Sequence, residues 1–427
     1  MNNICLVSFV LPFGESFLGS QLNTLNQYDN CEFIANHTAA KDIKNIKFLI
    51  ANDSMEYKNL STIIASGEWI VFLDSIPKNE LINKILKTIK SHQNAFAIAG
   101  SEKVIFNKFT ICKDTSHSSP IIYNRNYLAS LLPISKKNDD RHILEYMYKI
   151  GKLTLDEGYQ EKHITYAKLY LAIPYFNIIK NRLLDSRIQP NIKQESFGKY
   201  IQFDKNIPIF INCRDRLSPL LKLVSWIEYE GFSNIIFIDN KSSYKPLLDY
   251  YENTSYTVIK LGRNIGQRAP WISGAINYYA SNKAFIVTDP DVIPLESSHG
   301  AIKYFAEVLN NHPKYAKVGF GLRIDNLPDS YEPKNNVIKW ESVFWKDQIE
   351  KDIYIADLDT TFALYRPNTP YLIRPALRTG GRFIAEHEPW YEDSKKPSAE
   401  MIYYRKNANK EIGSWGVSKN DISKIYS

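Results

Sequence analysis

Two aspartates, Asp289 and Asp291, follow an apolar run of strand-forming residues that begins at Phe285, and Pro294 ends the stretch. Such runs are typical of buried strands in parallel sheets, whose carboxyl ends bind ligands in open α/β folds. Two carboxylates this close repel each other unless a cation lies between them. Because Mg²⁺ and Mn²⁺ favour carboxylates together with phosphate oxygens, the stretch indicates a site for a cation and a diphosphate. An acidic surface turn is the alternative.

A basic loop precedes this strand in the sequence. Arg263, Asn264, Gly266 and Arg268 lie in a polar stretch that opens a helix predicted to run to about residue 281. Backbone N–H groups at a helix start, together with guanidinium groups, favour a diphosphate. The alternative is that Asn264 and Gly266 only form a turn.

Strands and helices alternate in both halves of the chain, which predicts parallel sheets with flanking helices. In the second half we expect a strand with its exit loop at 207–215, strands at 235–240 and 256–260, and a strand within the stretch 285–294, with helices at 217–230 and 245–252. In the first half we expect strands at 4–12, 31–35, 46–50 and 68–77, with helices at 16–27, 58–67, 78–92, 140–150 and 160–186. The shared order predicts an internal duplication. We expect domains at 1–185 and 206–427, joined by a polar linker at 186–205.

Composition narrows the classes of function. A chain of 427 residues favours two domains, and its net charge of +7 comes from Lys and Arg spread along the chain. Nucleic acid binding would require a clustered basic surface, so we expect no nucleic acid partner. An anionic substrate and an anionic membrane surface suit the mild positive excess equally well.

The spacing of the cysteines and the first residues of the chain indicate the cellular compartment of the protein. Cys5, Cys31, Cys112 and Cys213 are far apart and lack the spacing of a zinc site, which fits a reducing compartment. The first residues lack the features of a signal peptide, and no stretch is apolar for long enough to span a bilayer. We therefore expect a cytoplasmic protein, and peripheral association with the inner face of the cytoplasmic membrane stays open.

The second half resembles the nucleotide-sugar-dependent glycosyltransferases of the GT-A fold, mainly the bacterial enzymes that build surface polysaccharides. The matching pieces span residues 207–416 and are, in order, Ile238–Asn240, Arg263–Gly266, Asp289–Asp291 and His387–Tyr391. The resemblance implies an α/β chain of two tandem GT-A domains. It also implies a metal-dependent enzyme that moves a sugar from a nucleotide-diphosphate sugar to a glycan acceptor in capsule or lipopolysaccharide biosynthesis.

The resemblance implies roles for the matched residues. Asp289 and Asp291 would hold Mn²⁺ or Mg²⁺ on the diphosphate, and Asp289 would also reach the ribose. His387 would complete the metal shell; a surface histidine is the alternative, and Glu386 and Glu388 are alternative ligands.

Two further residues come from the same resemblance. Asp239 would contact the base or ribose of the donor, for which a UDP-sugar is favoured, and a helix N-cap is its alternative. Arg214 would line the nucleotide pocket, because the loop after the first strand lies there in this fold.

Glycosyl transfer with inversion needs a general base for the acceptor hydroxyl. Asp357 and Asp359 come just before an apolar strand, and strand periodicity places both on one face. We expect Asp359 to lie near the acceptor or the sugar. A hydrogen-bonded loop aspartate is the alternative, and a retaining enzyme would need no base.

The first half resembles the large inverting family two of the same fold, with departures. Asp74 matches the first carboxylate of the motif, but Ile76 and Pro77 stand where a second is expected. The strand end at Asn36–Thr38 lacks the base-contacting aspartate, and Asp139–Asp140 is the one acidic pair that could imitate the catalytic carboxylates. We expect a degenerate, non-catalytic domain.

Other functions stay open. Both halves could be active, as in a bifunctional polymerase, or the protein could bind carbohydrate or nucleotide without turnover. A nucleotidyltransferase would need a glycine-rich loop after the first strand, and Asn212–Arg216 contains no glycine. The acceptor would be a glycan or lipid-linked glycan, and a homo-oligomer stays open.

Overall fold

A computed structural model describes residues 200–408 without interruption. Before them it describes residues 7–13, 28, 31–36, 46–49, 51–73, 77, 82–83, 85–87, 89, 97–99, 104–107, 110–113, 122–130, 132–134 and 153–155. The chain forms two compact units, Met1–Ser186 with Ile272–Tyr278, and Arg187–Trp271 with Tyr279–Ser427. No helix in the described part of the chain is long and apolar enough to cross a membrane.

Several predicted features lie outside the described residues. They are the helices at 16–27, 140–150 and 160–186, most of the linker at 186–205, and the acidic residues Asp74 and Asp139–Asp140. Their roles stay predictions.

Among its described residues the first unit contains short strands and helical segments. The strands are β1 (Val7–Val10), β2 (Cys31–Asn36), β3 (Ile46–Leu49), β4 (Trp69–Phe72), β5 (Ala97–Ala99), β6 (Val104–Asn107), β7 (Thr110–Lys113), β8 (Ile122–Asn124) and β9 (Leu153–Leu155). The helices are α1 (Ser54–Ile64) and α2 (Arg125–Ser130). Residues 82, 83, 85–87 and 89 are also helical, within the helix predicted at 78–92.

Helix α1 begins and ends earlier than the sequence predicts. Asp53 caps it by accepting from the amides of Met55 and Glu56, both at 2.8 Å, which moves the start ahead of residue 58. The prediction that Gly67 ends the helix is wrong, because the Gly67 amide donates instead to the hydroxyl of Ser8 in β1, at 2.8 Å.

A buried polar group joins the first three strands of this unit. Glu32 in β2 accepts from Ser8 at 2.6 Å and from the Ser66 amide at 2.7 Å, and it pairs with Lys47 of β3 at 2.8 Å. Burial alone would raise the pKa of Glu32, but Lys47 and these hydrogen bonds more than offset burial and lower it.

The second unit contains a larger sheet and more helices. Its strands are β10 (Ile209–Cys213), β11 (Ile235–Asp239), β12 (Thr257–Lys260), β13 (Phe285–Thr288), β14 (Val292–Pro294), β15 (Lys317–Leu322), β16 (Gln348–Glu350), β17 (Ile353–Ile355), β18 (Ala363–Tyr365) and β19 (Ala376–His387). Its helices are α3 (Ser218–Tyr229), α4 (Lys245–Asn253), α7 (Ala301–Asn311), α8 (Lys334–Glu341) and α9 (Ala399–Asn407). Two short helices, α5 (Ala269–Ile272) and α6 (Ala275–Ala280), each contain residues of both units, since Ile272–Tyr278 belongs to the first unit.

The strand order of the first unit recurs in the second. Within the described residues the first sheet has the order β3-β2-β1-β4-β8-β5-β9, and the second has β12-β11-β10-β13-β18-β15-β19, extended by β17 and β16. In each sheet the first four strands are parallel, the fifth is antiparallel to both its neighbours, and the last two of the shared seven are parallel to each other. The predicted α/β fold with flanking helices is confirmed, and the mixed part of each sheet was not predicted.

The core of the second unit lies between the sheet and helix α3. Alternate side chains of β10, Ile209 and Ile211, pack in one cluster with Leu220, Leu223 and Ile227 of the helix, all buried. The helical residues are three or four positions apart and so share one face. Burying each such side chain stabilises the fold by about 2 kcal/mol.

The prediction of one continuous helix to about residue 281 is wrong. The helix breaks at Ser273–Gly274 into α5 and α6, and Gly274 has a φ of +84°. Within the first unit, a Cβ at this position would lie 2.7 Å from the carbonyl oxygen of Ala129, so only glycine fits. Because α5 has four residues, it offers no helix N-terminus of the kind predicted for a diphosphate.

Candidate functional site

Asp289 follows β13 directly and is held by the loop before β18. Its amide donates to the Thr360 carbonyl oxygen at 3.1 Å, and the Thr360 hydroxyl donates to its Oδ2 at 2.6 Å. Burial raises the pKa of the Asp289 carboxyl well above its usual value, and the charges of Asp291 and Asp359 raise it further. The carboxylates of Asp291 and Asp359 are therefore near enough to act electrostatically on Asp289.

Asp291 lies where β13 gives way to β14. Pairing of Val292 with His387 in β19 brings the late histidine beside it. The Nε2 of His387 lies 3.8 Å from Asp291 Oδ1, and Nη1 of Arg216 lies 3.9 Å from Asp291 Oδ2. The Glu388 amide donates to the Asp291 carbonyl oxygen at 2.8 Å, which fixes the two segments together.

The imidazole of His387 is largely buried and packs 4.7 Å from the ring of Trp390. Its Nδ1 is buried and makes no hydrogen bond among the described residues. Burial lowers the pKa of His387, opposed by Asp291 and assisted by Arg216. A neutral imidazole is the form that binds metal ions.

The donor types at this edge fit Mn²⁺ or Mg²⁺. Asp289, Asp291 and His387 supply oxygen and nitrogen donors, and the raised pKa of Asp289 marks a site where added positive charge is favourable. In the described part of the chain, however, no group of three or more His, Cys, Asp and Glu side chains is arranged to hold a metal ion. The Arg216 guanidinium already supplies one positive charge to Asp291.

Arg216, for which no role was predicted from the sequence, is buried among acidic groups. Its Nη2 donates to Glu388 at 2.7 Å, and its Nε donates to Glu400 of α9 at 3.3 Å. Glu400 also accepts from the amides of Leu217 and Ser218 at the start of α3. One guanidinium therefore connects the carboxylate cluster, the start of α3 and the last described helix.

Arg214, two residues earlier, points elsewhere. Its Nη2 donates to the Asn407 carbonyl oxygen at 2.7 Å, and its Nε lies 3.7 Å from Asp215 Oδ2. Its Nε and Nη1 are buried and make no hydrogen bonds among the described residues. The predicted role of Arg214 at a nucleotide stays a prediction, and the alternation of two arginines after β10 is the signal that could have identified Arg216.

Asp239 ends β11 and is buried. It accepts from the amide of Ser242 at 3.2 Å, and the hydroxyls of Ser242 and Tyr251 also hydrogen-bond to it. Burial raises its pKa, and these hydrogen bonds oppose the rise. These contacts are those of a carboxylate that stabilises a turn. Asp239 is not the N-cap of the following helix, since Tyr244 occupies that position.

The basic loop forms a turn at Asn264 and Gly266. Gly266 has a φ of +75°, its amide donates to the Asn264 side chain at 3.0 Å, and its carbonyl oxygen accepts from the Ala269 amide at 3.1 Å. The guanidinium of Arg268 lies 4.6 Å from the centre of the Tyr371 ring. Arg268 therefore lies beside Tyr371, whose hydroxyl donates to Asp359.

Two asparagines connect this loop to the carboxylates. Asn240 accepts from the Ile265 amide at 3.0 Å and donates to the Gly266 carbonyl oxygen at 3.1 Å and to Asn212 at 2.6 Å. Asn212 in turn hydrogen-bonds to Asp289. Asn212 is the penultimate residue of β10 and Asn240 follows β11, the neighbouring parallel strand, and no role was predicted for either from the sequence.

Asp357 and Asp359 do not share one face, and that prediction is wrong. Both lie in the loop between β17 and β18, where strand periodicity does not hold. Asp357 pairs with the largely exposed Arg374, whereas Asp359 accepts from the Tyr371 hydroxyl at 2.7 Å and acts electrostatically on Asp289. Of these two aspartates, only Asp359 acts on Asp289.

Comparison with known proteins gives limited matches. No family model and no curated protein matches the chain. Among solved structures, 36% of this chain is similar to 89% of the 4-diphosphocytidyl-2C-methyl-D-erythritol synthase of Anaerococcus prevotii, at 12% identity and a TM-score of 0.26. The same share is similar to 49% of the bifunctional IspDF of Campylobacter jejuni, about half of that chain, at 13% identity and a TM-score of 0.25. At these values neither match assigns an activity or a substrate.

Proposed function

We propose that the second unit is a metal-dependent glycosyltransferase that takes a nucleotide-diphosphate sugar as donor, with a UDP-sugar favoured. One observation supports the proposal: three segments, which carry Asp289 and Asp291, His387, and Asp359, lie near one another at the carboxyl end of β13, the last of the parallel strands. This edge is where open α/β folds bind their ligands.

In this proposal Asp289, Asp291 and His387 hold Mn²⁺ or Mg²⁺, which when bound stabilises the charge that develops on the leaving diphosphate. Arg263 and Arg268 supply guanidinium donors for the phosphates. Asn240 fixes the loop that carries them, through its bonds to Ile265 and Gly266.

Asp359 is the proposed acceptor-facing carboxylate. It either takes the proton of the acceptor hydroxyl or orients the donor sugar, depending on the stereochemical course. Its hydrogen bond from Tyr371 fixes the carboxylate beside Asp289. Asp357, paired with Arg374, has no part in this step.

We further propose that the acceptor is a surface glycan or its lipid-linked precursor, as in capsule or lipopolysaccharide biosynthesis, and that the enzyme is cytoplasmic. The first unit, with the same strand order, would serve as scaffold, acceptor-binding module or docking module. The positive net charge suits an anionic acceptor or membrane surface.

The proposal is tested by a transfer assay with a panel of nucleotide sugars, Mn²⁺ and a mixture of glycan acceptors. We expect release of one nucleoside diphosphate, which stops on addition of a chelator. Asp291→Asn should lower this release at least 100-fold, because it removes a charged ligand. Asp249→Asn, an exposed partner of Lys245, is the matched control and should stay active.

Two results would contradict the proposal. If the Asp291→Asn variant releases the nucleoside diphosphate as fast as the wild type, Asp291 is not a ligand of the metal ion. Cation-dependent binding of a nucleotide sugar without any release would identify a binding protein instead.

A further inference from the structure

Lys317, the first residue of β15, is completely buried. Its Nζ donates to the carbonyl oxygens of Leu358 and Asp359, the latter at 3.2 Å, and to the Tyr365 hydroxyl at 3.2 Å. Tyr365 lies directly opposite it in β18. The ammonium therefore has three oxygen acceptors, two of them in the backbone of a single turn.

The charges that face this ammonium come from the elements packed around it. The Asp359 carboxylate attracts it and Arg378 of β19 repels it, while Arg378 pairs with Glu341 of α8 at 2.7 Å. Burial is the largest effect, and it lowers the pKa of Lys317 to about 7. A charged lysine in this position costs stability relative to an apolar residue of similar size.

The turn that Lys317 holds carries two side chains of the candidate site, Asp359 and Thr360. Thr360, next along the chain, donates to Asp289 at 2.6 Å. Asp359 accepts from Tyr371 at 2.7 Å. Movement of the Leu358–Asp359 backbone would therefore displace a carboxylate and a hydroxyl at once.

We propose that Lys317 is a positioning residue: its ammonium fixes the Leu358–Thr360 turn and so sets where Asp359 and Thr360 meet Asp289. The effect on the backbone follows from the contacts alone. The consequence for transfer rests on the proposed function, in which Asp359 faces the acceptor.

Amide hydrogen exchange measured by mass spectrometry tests the first part. In Lys317→Met, the peptide covering residues 356–362 should exchange at least about fivefold faster than in wild type, since the turn loses its donor. Lys303→Met, at an exposed position of α7, is the matched control and should leave this peptide unchanged. Unchanged exchange in a folded Lys317→Met protein would overturn the proposal.

The wild-type protein supplies a second test that needs no variant. After correction for intrinsic exchange, the rate in 356–362 should rise between pH 6 and 9 as Lys317 loses its proton. A flat profile would overturn the proposal even if Lys317→Met fails to fold, provided that the ¹⁵N chemical shift of Lys317 Nζ shows the loss of its proton within this range.

The consequence for transfer has its own readout. Lys317→Met should lower kcat about 10- to 100-fold while the donor Kd changes less than about twofold, because a displaced carboxylate impairs chemistry rather than donor binding. A lowered donor affinity with unchanged kcat would contradict it. If the wild type transfers no sugar, the proposed function fails, and the exchange experiments still decide whether Lys317 positions the turn.

Discussion

The hydroxyl of Thr360 donates a 2.6 Å hydrogen bond to Oδ2 of Asp289, and the Asp289 amide donates to the Thr360 carbonyl oxygen. These reciprocal bonds join the end of β13 to the loop before β18. The carboxylate that follows the apolar strand is thus held by a residue far along the chain. It is an anchored part of the sheet edge rather than an exposed acidic turn.

Thr360→Val should lower the free energy of unfolding by about 1 to 2 kcal/mol, because it removes a hydrogen bond to a carboxylate without changing the shape of the side chain. Urea denaturation measures the change. Thr257→Val, at an exposed position of β12, should have little effect. Equal losses in both variants would show that the bond contributes nothing specific.

Arg216→Met should destabilise the protein by roughly 3 kcal/mol or more, because it leaves Glu388, Glu400 and Asp291 without their buried cation. Lys222→Met removes the other cation of Glu388 and should cost less than about 1 kcal/mol, since Lys222 is largely exposed. Thermal and urea unfolding compare the two. Similar losses would contradict the central role of Arg216.

Asp359→Asn and Asp357→Asn should differ in activity. In the proposed transfer reaction Asp359→Asn should lower kcat at least about 100-fold, as expected for loss of a base or a positioned charge. Asp357→Asn breaks only a largely exposed ion pair and should change kcat less than about threefold. A larger loss in Asp357→Asn would reverse the assignment.

Glu32 should make stability depend on pH. Its pKa is lowered in the folded state, so its stabilisation is present above the ordinary value of 4.5 and is lost as the pH falls through the folded value. Glu32→Gln should be less stable by about 1 to 3 kcal/mol at pH 7, with a smaller further loss between pH 5 and 3. Melts across this range test it.

The exposed Glu252, paired with Lys260, gives the control for Glu32. Glu252→Gln should keep the pH dependence of the wild type. A wild-type profile that Glu32→Gln leaves unchanged would contradict the account of the buried group.

Local patterns predicted strands β10 to β13 and helices α3 and α4 of the second unit, because apolar runs and periodic helices are signals within short windows. Helices α7, α8 and α9 and most of the later strands were not predicted. The same signals predicted that Asp289 and Asp291 follow a buried strand, as they follow β13. The break at Gly274 could not be predicted, since it depends on the carbonyl oxygen of Ala129, distant in sequence.

Some site residues were not predicted for the same reason, which is that their roles depend on contacts between residues distant in sequence. Arg216, Lys317 and Thr360 look like ordinary charged or polar residues in sequence, and their roles come from contacts across the sheet. Asp357 and Asp359 were predicted on one face because a strand was assumed where the chain forms a loop. The two aspartates differ only in their tertiary contacts: Asp359 accepts from Tyr371, whereas Asp357 pairs with Arg374.

Titration calorimetry of nucleoside diphosphates tests the central claim most directly. With Mn²⁺ present, one of UDP, GDP, CDP, ADP or dTDP should bind the wild-type protein, with UDP favoured. Removal of Mn²⁺, or Asp291→Asn in its presence, should weaken that binding at least about tenfold. Equal affinity with and without the cation, or no binding of any diphosphate, would contradict a cation–diphosphate site at Asp289 and Asp291.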